Sequence, residues 1–512
     1  MAEHAVDSAG TIVSGQYLYS GSDGDHLTHE AAYVVGDEIV AVGRVADLRR
    51  AHAGAREIGG RDVVVIPGLV DGHQHGRGFT YIQRGVADSP LELWLHDLKT
   101  AVPSDPYAAT VWGALHSLAA GITSSMHSHI TMDPRRYDHE LTETLRAYRD
   151  SQLRTTFAVD IRDRASFTYE DDDVFLARLP GPLREATASL PLADAMPGIS
   201  EIAEIAERLR AETQGTTVEV CLGPQAASRC SEATLVQARE AASRLGIGLH
   251  LHCAETRAQR AYFQSRYGMS EVAYLHRLGM LGPDVSLAHC IWLLPGDAEI
   301  LAGMGVKVVH CPGSNLRLGS GIMRLDELLA TGVDVALGTD SFTLSDDQDL
   351  FGEMRLAAYL SRATSRAPTG WGEIGARKGL EMATSAGASA VPRTEPVGSI
   401  RPGWKADLVL LDRCQLEGPH TVGLPERLPE LIFSRATRAH VRTTIVGGRV
   451  VMLEGTFPGI DLEGLAERVS TAALAARPDS PRLATLRALR RHVAAYLREL
   501  GELGQHGQQP AR

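Results

Sequence analysis

Six side chains have the types and spacing to hold a metal ion and move protons beside it: His73, His75, His252, Glu255, His289 and Asp340. His73 and His75 flank Gln74, and residues two apart in an extended strand face the same side, so both imidazoles point one way. His252 and Glu255 stand three apart in LHLHCAE, His289 closes VSLAH, and Asp340 closes VDVALGTD. Neutral imidazoles and a carboxylate suit Zn²⁺ or Fe²⁺, and an incomplete protein shell leaves a position for water. A single H-x-H is a weak signal. Here the other groups also end apolar runs, in an order that chance explains poorly.

Those runs define the scaffold. Eight of them are strand candidates: LVDGHQH, ITSSMHSH, RTTFAVDIR, TTVEVCLGP, GIGLHLHCAE, VSLAHC, VKVVHCP and VDVALGTD. Between them, apolar residues recur every three to four positions, which predicts helices over 202–212, 232–245, 256–267 and 350–362. The 270 residues from 71 to 340 match the length of a (β/α)8 TIM-type barrel, roughly 250 residues, whose catalytic groups sit at the C-terminal ends of its strands. Residues 180–198 read as an insertion after the third strand. Residues 9–66 and 398–455 both have strand texture, with hairpin turns at Gly36-Asp37 and Gly447-Gly448. The fold class is therefore α/β, a barrel with a small β-sandwich domain formed from both chain ends. The expected division is 1–66 and 398–455 for that domain, 67–397 for the barrel, and 456–512 for a helical extension and tail. Within the extension, 481–500 is amphipathic with a helix start at Ser480-Pro481. Packing on the barrel is its default role, and a partner or oligomer interface the alternative. The last residues, GQHGQQPAR, read as a mobile tail.

In this order PGLVDGHQH, LHCAE, AHCIWL, HCPGSN and LGTDS resemble the amidohydrolase superfamily, in particular its ATZ/TRZ and cytosine-deaminase-like branch. VGSIRPGWKADLVLLD and IVGGRVV resemble that family's return to its β-domain, so the resemblance spans about residues 9–455. It implies a hydrolase with one divalent ion, Zn²⁺ or alternatively Fe²⁺, held by His73, His75, His252 and Asp340. His289 would hold the attacking water or the developing oxyanion, Glu255 would pass a proton to the substrate, and Asp340 would accept the water's proton. The implied reaction is deamination of an amino-substituted N-heterocycle of purine, pyrimidine, pterin or triazine type. The alternative is hydrolysis of an amide or urea C–N bond or a C–halogen bond on the same scaffold. A homodimer or larger homo-oligomer is also implied.

Lysine content bears on the metal. Of 51 basic residues four are lysine (Lys99, Lys307, Lys378, Lys405), leaving 47 arginines. No lysine lies between Lys99 and Lys307, so the fourth strand cannot supply the carbamylated lysine that bridges two metals in the more distant binuclear branch. Glu219, the remaining candidate bridge, stands too deep in that strand. Other residues carry two readings. His250 shares the parity of His252 and is either a fifth ligand or a satisfied core histidine. His127 and His129 either line the substrate pocket or hydrogen-bond within the wall. Gln225 is expected to contact a planar heterocycle. His310 and Asn315 contact substrate or brace a loop, and Trp292 forms a pocket wall or packs in the core. Asp346 and Asp347 cap the helix near Leu350 or gate the site.

Composition closes off other classes. A net charge of −12 provides no field to attract phosphate backbones, which excludes nucleic acid as the main partner and leaves a small molecule. The longest stretch without Asp, Glu, Lys or Arg, residues 106–132, holds three histidines and is no membrane span. Six cysteines without CxxC spacing form neither a disulfide framework nor a zinc finger. With no signal sequence in MAEHAVDSAG, the expected location is the reduced cytoplasm. Motifs of nucleotide-binding loops, serine hydrolases and HExxH proteases are absent.

Overall fold

Eight of the apolar runs form the strands of one parallel sheet in the computed structural model. The structure describes residues 10–21, 31–76, 78–102, 104–190, 195–365, 374–420, 426–474 and 480–506. In chain order the strands are Leu69–Gln74, Ile122–Ser128, Arg154–Ile161, Val218–Pro224, Leu249–Cys253, Val285–His289, Lys307–His310 and Val335–Leu337, each hydrogen-bonded to the next. Strands buried on both faces by helices need continuous apolar runs rather than alternation, and all eight residues of Arg154–Ile161 are buried. The Asp340 amide donates to the His73 carbonyl at 2.8 Å, bringing the end of the eighth strand back to the first. Gly338 permits that approach, because a Cβ there would meet the His73 carbonyl oxygen at 2.9 Å.

The expected helices are present as Ile199–Glu212, Glu232–Leu245, Arg257–Tyr267 and Leu350–Thr364. Ser231 and Thr256 cap the second and third of these, accepting from the Thr234 and Gln259 amides. The cap of the fourth is Asp349, not Asp346 or Asp347: its carboxylate accepts from the Phe351 and Gly352 amides at 3.0 and 3.4 Å. Asp346 is instead paired with Arg317, and Asp347 accepts from the Thr343 hydroxyl.

Both chain ends meet in a second, seven-stranded mixed sheet. Arg56–Pro67 lies between Thr11–Leu18 and Leu408–Asp412, with hairpins Ala31–Val35/Glu38–Gly43 and Val441–Val446/Arg449–Leu453 at the two sides. Gly447 and Gly448, at φ of 51° and 73°, make the tight turn of the latter. The sheet curls, because the Ile39 amide reaches the Trp404 carbonyl just before Leu408–Asp412, and it encloses its own core of Val13, Val34, Val65, Leu408 and Ile445. A buried ion pair ties it to the barrel: Arg154 donates twice to Asp407, at 2.9 and 3.0 Å.

The helix Pro481–His506 packs over the barrel mouth. Leu486, Leu489 and Val493 join Phe167 and Phe175, which follow the third strand, and His96 of Leu91–Leu98 donates to the Leu486 carbonyl at 2.7 Å. The tail residues 507–512 and the N-terminal residues 1–9 lie outside the described residues. Among those described, no helix is long and apolar enough to cross a membrane.

Candidate active site

Four imidazoles from three strand ends converge at the C-terminal rim of the barrel, each turned by a hydrogen bond at Nδ1. His75 Nδ1 lies 2.7 Å from the Ser128 carbonyl and His252 Nδ1 2.8 Å from that of Gln225, so both carry their proton on Nδ1 and leave Nε2 bare. His289 Nδ1 lies 2.9 Å from Asn315 Oδ1, with the same consequence. His73 Nδ1 meets His250 Nε2 at 2.7 Å, and His250 Nδ1 meets the Ser286 hydroxyl at 2.6 Å. His250 is therefore a brace behind His73.

The bare Nε2 atoms face Asp340, whose Oδ1 is 3.2 Å from His73 and 3.0 Å from His75 while Oδ2 accepts from Ser314 at 2.5 Å. The candidate ligand atoms of His73, His75 and His252 all lie within 4.8 Å of one another, as do those of His73, His289 and Asp340. His73 Nε2 and His289 Nε2 are buried without a hydrogen-bond partner among the described residues. Such orphaned lone pairs opposite a carboxylate suit a divalent cation and little else. Burial keeps His73, His252 and His289 neutral by holding their pKa values below the usual imidazole range. Burial opposes ionisation of Asp340, but where His73 or His75 carries a proton on Nε2 its hydrogen bond and charge outweigh burial and hold the carboxyl well below its usual range.

Glu255 completes the constellation. Its Oε1 is 3.7 Å from His289 Nε2, and burial, with Asp340 and Glu92 nearby, raises its pKa well above the usual carboxyl range. A carboxyl in that state can donate a proton near neutrality. Its backbone is held by Gln259, and Glu271 holds the Ala254 amide at 2.7 Å. The local backbone is strained: Ala254, His289, Cys290, Asp340 and Ser341 all take positive φ, between 47° and 75°. Each left-handed non-glycine residue costs roughly 1–2 kcal/mol, and their concentration at three strand ends marks where geometry overrides stability.

A cavity of about 70 Å³ faces these groups, with Leu91, Trp94, Leu318 and Phe342 as apolar walls and Gln225 also in its lining. Gln225 Nε2 and Trp94 Nε1 are buried donors without partners among the described residues. His127, His129, Trp292 and His310 are not among the residues lining this cavity. His127 contacts Tyr148 Oη at 2.6 Å and His129 Nδ1 at 3.2 Å, both within the wall. The Trp292 indole donates to the Ser320 carbonyl at 2.6 Å, and burial pushes the pKa of His310 down to about 3. Cys253, Cys290 and Cys311 are buried within the hydrophobic clusters and do not line this cavity. Glu219 accepts from the Thr394 amide near the start of its strand, far from the imidazoles. A larger cavity, about 1400 Å³, lies around that opposite end of the barrel, and none of the six metal and proton-transfer candidates lines it.

Sequence reasoning passed over Asp71, although DG inside an apolar run is a visible anomaly. Its carboxylate accepts from the Thr339 amide and hydroxyl at 2.9 and 2.5 Å and from the His73 amide at 3.2 Å, locking strand one to strand eight.

The model of the amidohydrolase family matches residues 64–451. The chain is 31% identical over 451 residues to a protein named 5'-deoxyadenosine deaminase from Methanosarcina barkeri, covering 86% of this chain and 93% of that one. It is 30% identical over 471 residues to 5-methylthioadenosine/S-adenosylhomocysteine deaminase from Syntrophobacter fumaroxidans, covering 91% and 98%. Among solved structures, an adenosine deaminase from Xanthomonas campestris with bound zinc superposes with a TM-score of 0.73 at 26% identity, covering 90% of this chain and 97% of that one. An atrazine chlorohydrolase from Arthrobacter aurescens complexed with zinc gives 0.69 at 22% identity, covering 90% and 100%, a likeness of fold alone.

Proposed function

The chain belongs to the amidohydrolase family, and from that premise we propose that it is a mononuclear zinc-dependent deaminase of a 6-amino-purine nucleoside or a close relative. It is a hydrolase of C–N bonds other than peptide bonds, and its relatives point to a purine-type substrate. The observation that carries the finer reading is the set of orphaned imidazole Nε2 atoms around Asp340, with the raised carboxyl of Glu255 beside them. His73, His75, His252 and Asp340 would hold the ion, for which Fe²⁺ is the alternative.

When bound, the ion supplies a water acidified towards a pKa of about 7. The chain's own groups do the rest. Asp340, ionised and steadied by Ser314, accepts the proton of the attacking water. Glu255 donates its proton to the ring nitrogen beside the attacked carbon, so that the ring is activated as attack proceeds. His289, oriented by Asn315, presents a bare Nε2 that can accept a hydrogen bond from the attacking water and so hold it in place. Asp340 then returns a proton to the departing amine, and the hydroxyl left on the attacked carbon gives its proton to Glu255 as the carbonyl forms. Trp94 and Phe342 press on a flat ring, while Gln225 Nε2 offers it a hydrogen bond. A single ion is supported by the absence of lysine from the fourth strand and by the remote engagement of Glu219.

The test is ammonia release from adenosine, 5'-deoxyadenosine, cytosine and aminotriazines by zinc-reconstituted protein. Purine deamination is expected, with kcat lowered about 10²- to 10⁴-fold in Glu255→Gln at undiminished zinc content. Chloride release from a chlorotriazine without any ammonia would replace this reading with dehalogenation, and an unchanged rate in Glu255→Gln would remove that residue from the mechanism.

A further inference from the structure

The short helix Pro312–Arg317 follows directly on the seventh strand and opens with a proline, which suits a helix start. Two of its residues already serve the site, Ser314 by donating to Asp340 and Asn315 by orienting His289. Its last residue, Arg317, turns elsewhere. The guanidinium lies over the Phe342 ring, 3.7 Å from the centroid, and Phe342 is one of the apolar walls of the catalytic cavity. Nε and Nη2 donate to the two carboxylate oxygens of Asp88 at 3.0 and 2.9 Å. Nη1 donates to the Thr343 carbonyl at 2.8 Å and to the Asp346 carboxylate. Only 12% of the side chain is exposed. Arg317 is not among the described residues lining the cavity, so any effect on a substrate passes through Phe342.

The segment that carries Phe342 needs outside support. Asp340, Ser341, Asp346 and Gln348 have φ between 52° and 55°, a left-handed conformation that is unfavourable for residues other than glycine and persists only where the surroundings impose it. Ser341 is held at one end, its hydroxyl accepting from the His75 amide at 3.1 Å. At the other end Arg438 donates to the Asp347 carbonyl at 2.7 Å. Between them, among the described residues, the polar links of 342–346 to other elements are those of Arg317. The same guanidinium grips Asp88, just before the helix Leu91–Leu98 that carries Trp94. Phe342 meets both Trp94 and Tyr81 with ring centroids 5.4 Å apart. One side chain thus joins the segments after strands one, seven and eight behind a single aromatic wall. Arginine suits the task, because its planar fork matches a carboxylate at two points while its face stacks on a ring.

We propose that Arg317 is a positioning residue for substrate binding: it fixes Phe342, and through Phe342 the Trp94 ring, where the two close on the flat ring of the substrate. The proposal rests on the main cavity being the heterocycle site. The metal and proton-transfer groups stay outside its reach, since Ser314 and Asn315 hold Asp340 and His289.

The experiment is steady-state ammonia release from adenosine by the zinc-loaded, full-length wild type and Arg317→Met. Zinc content and acrylamide quenching of Trp94 fluorescence are measured alongside, the latter as the difference between each protein and its Trp94→Phe counterpart. Loss of a contact made equally in the ground and transition states raises KM and spares kcat. Arg317→Met is therefore expected to raise KM roughly three- to ten-fold, the range of one aromatic contact, with kcat within about twofold. Zinc content should hold, and Trp94, 5% exposed in the wild type, should be quenched more readily. Arg317→Lys, which keeps the charge but not the fork, should recover part of the loss. Should Arg317→Met fail to fold, Asp88→Asn removes one tether at a carboxylate 44% exposed and should raise KM about two- to five-fold. Ammonia from the wild type with KM unchanged in the variant, a loss confined to kcat, or lowered stability with KM and quenching untouched overturns the proposal alone. No ammonia from the wild type refutes the deaminase, and the proposal with it.

Discussion

Replacing His250 with Phe tests how the metal site is built. His250 is fully buried, its Nε2 2.7 Å from His73 Nδ1 and its Nδ1 2.6 Å from the Ser286 hydroxyl, so it is placed to accept a proton carried on His73 Nδ1 and to pass its own to Ser286. A metal on His73 Nε2 forces the proton onto Nδ1, which in His250→Phe has no acceptor. Without metal the proton can move to Nε2, 3.2 Å from Asp340, and the penalty disappears. The full cost of a buried unpaired donor, roughly 1–3 kcal/mol, therefore falls on metal binding. It corresponds to a zinc affinity weakened about 5- to 150-fold at roughly 1.4 kcal/mol per factor of ten, in line with what outer partners contribute elsewhere. Competition with a chromophoric chelator measures it, and His250→Gln, whose amide oxygen can accept the same proton, should recover most of the loss. An affinity within twofold of the wild type would show that the brace does nothing. A loss beyond about 10⁴-fold, far more than an outer partner supplies, would make His250 a ligand.

Two further outcomes concern stability. Burial pushes the Glu353 carboxyl up to about 8 from 4.5, with the Gly313 amide donating to it at 2.7 Å. A raised folded pKa means the folded state keeps a proton the unfolded chain has released, so its contribution is intact below about 4.5 and is lost as pH rises through about 8. Glu353→Gln should thus gain on the wild type across that window, by roughly 3–5 kcal/mol at its upper end, read as the difference between urea titrations at pH 5 and pH 8.5; parallel pH profiles would refute it. Asp407→Ala removes the partner of a side chain only 3% exposed, Arg154, and should cost about 3–5 kcal/mol. A melting temperature unchanged in this variant would show that Glu395 alone satisfies the guanidinium.

Much of this protein is legible from its residues because strand direction and side-chain parity are local properties. A strand repeats every two residues whatever surrounds it, so His73 with His75, and His250 with His252, share a face before any fold is known. Apolar runs of strand length, separated by helical periodicity, are what a barrel closed by helices requires, and the eight runs became eight strands. Turn chemistry is local too, which is why Gly447-Gly448 was visible. The helix cap was misplaced by two or three residues because three aspartates compete in SDDQDL and only partners elsewhere, Arg317 and Thr343, decide among them.

What tertiary structure alone decided is which inward side chains meet. Parity turns His250 inward but does not say that it backs His73, and nothing near Asp71 announces a partner 268 residues away. His127 and His129 have the same H-x-H pattern as His73 and His75, yet Tyr148 and the barrel wall take them up while the other pair faces Asp340. The cavity of about 110 Å³ beside the site was hidden for the same reason: Lys99, Arg162, Arg229 and Arg482 come from four segments with no common pattern, and only barrel closure and the docking of the last helix place them around one space. Local chemistry sets where a side chain can point; chain closure sets what it finds there.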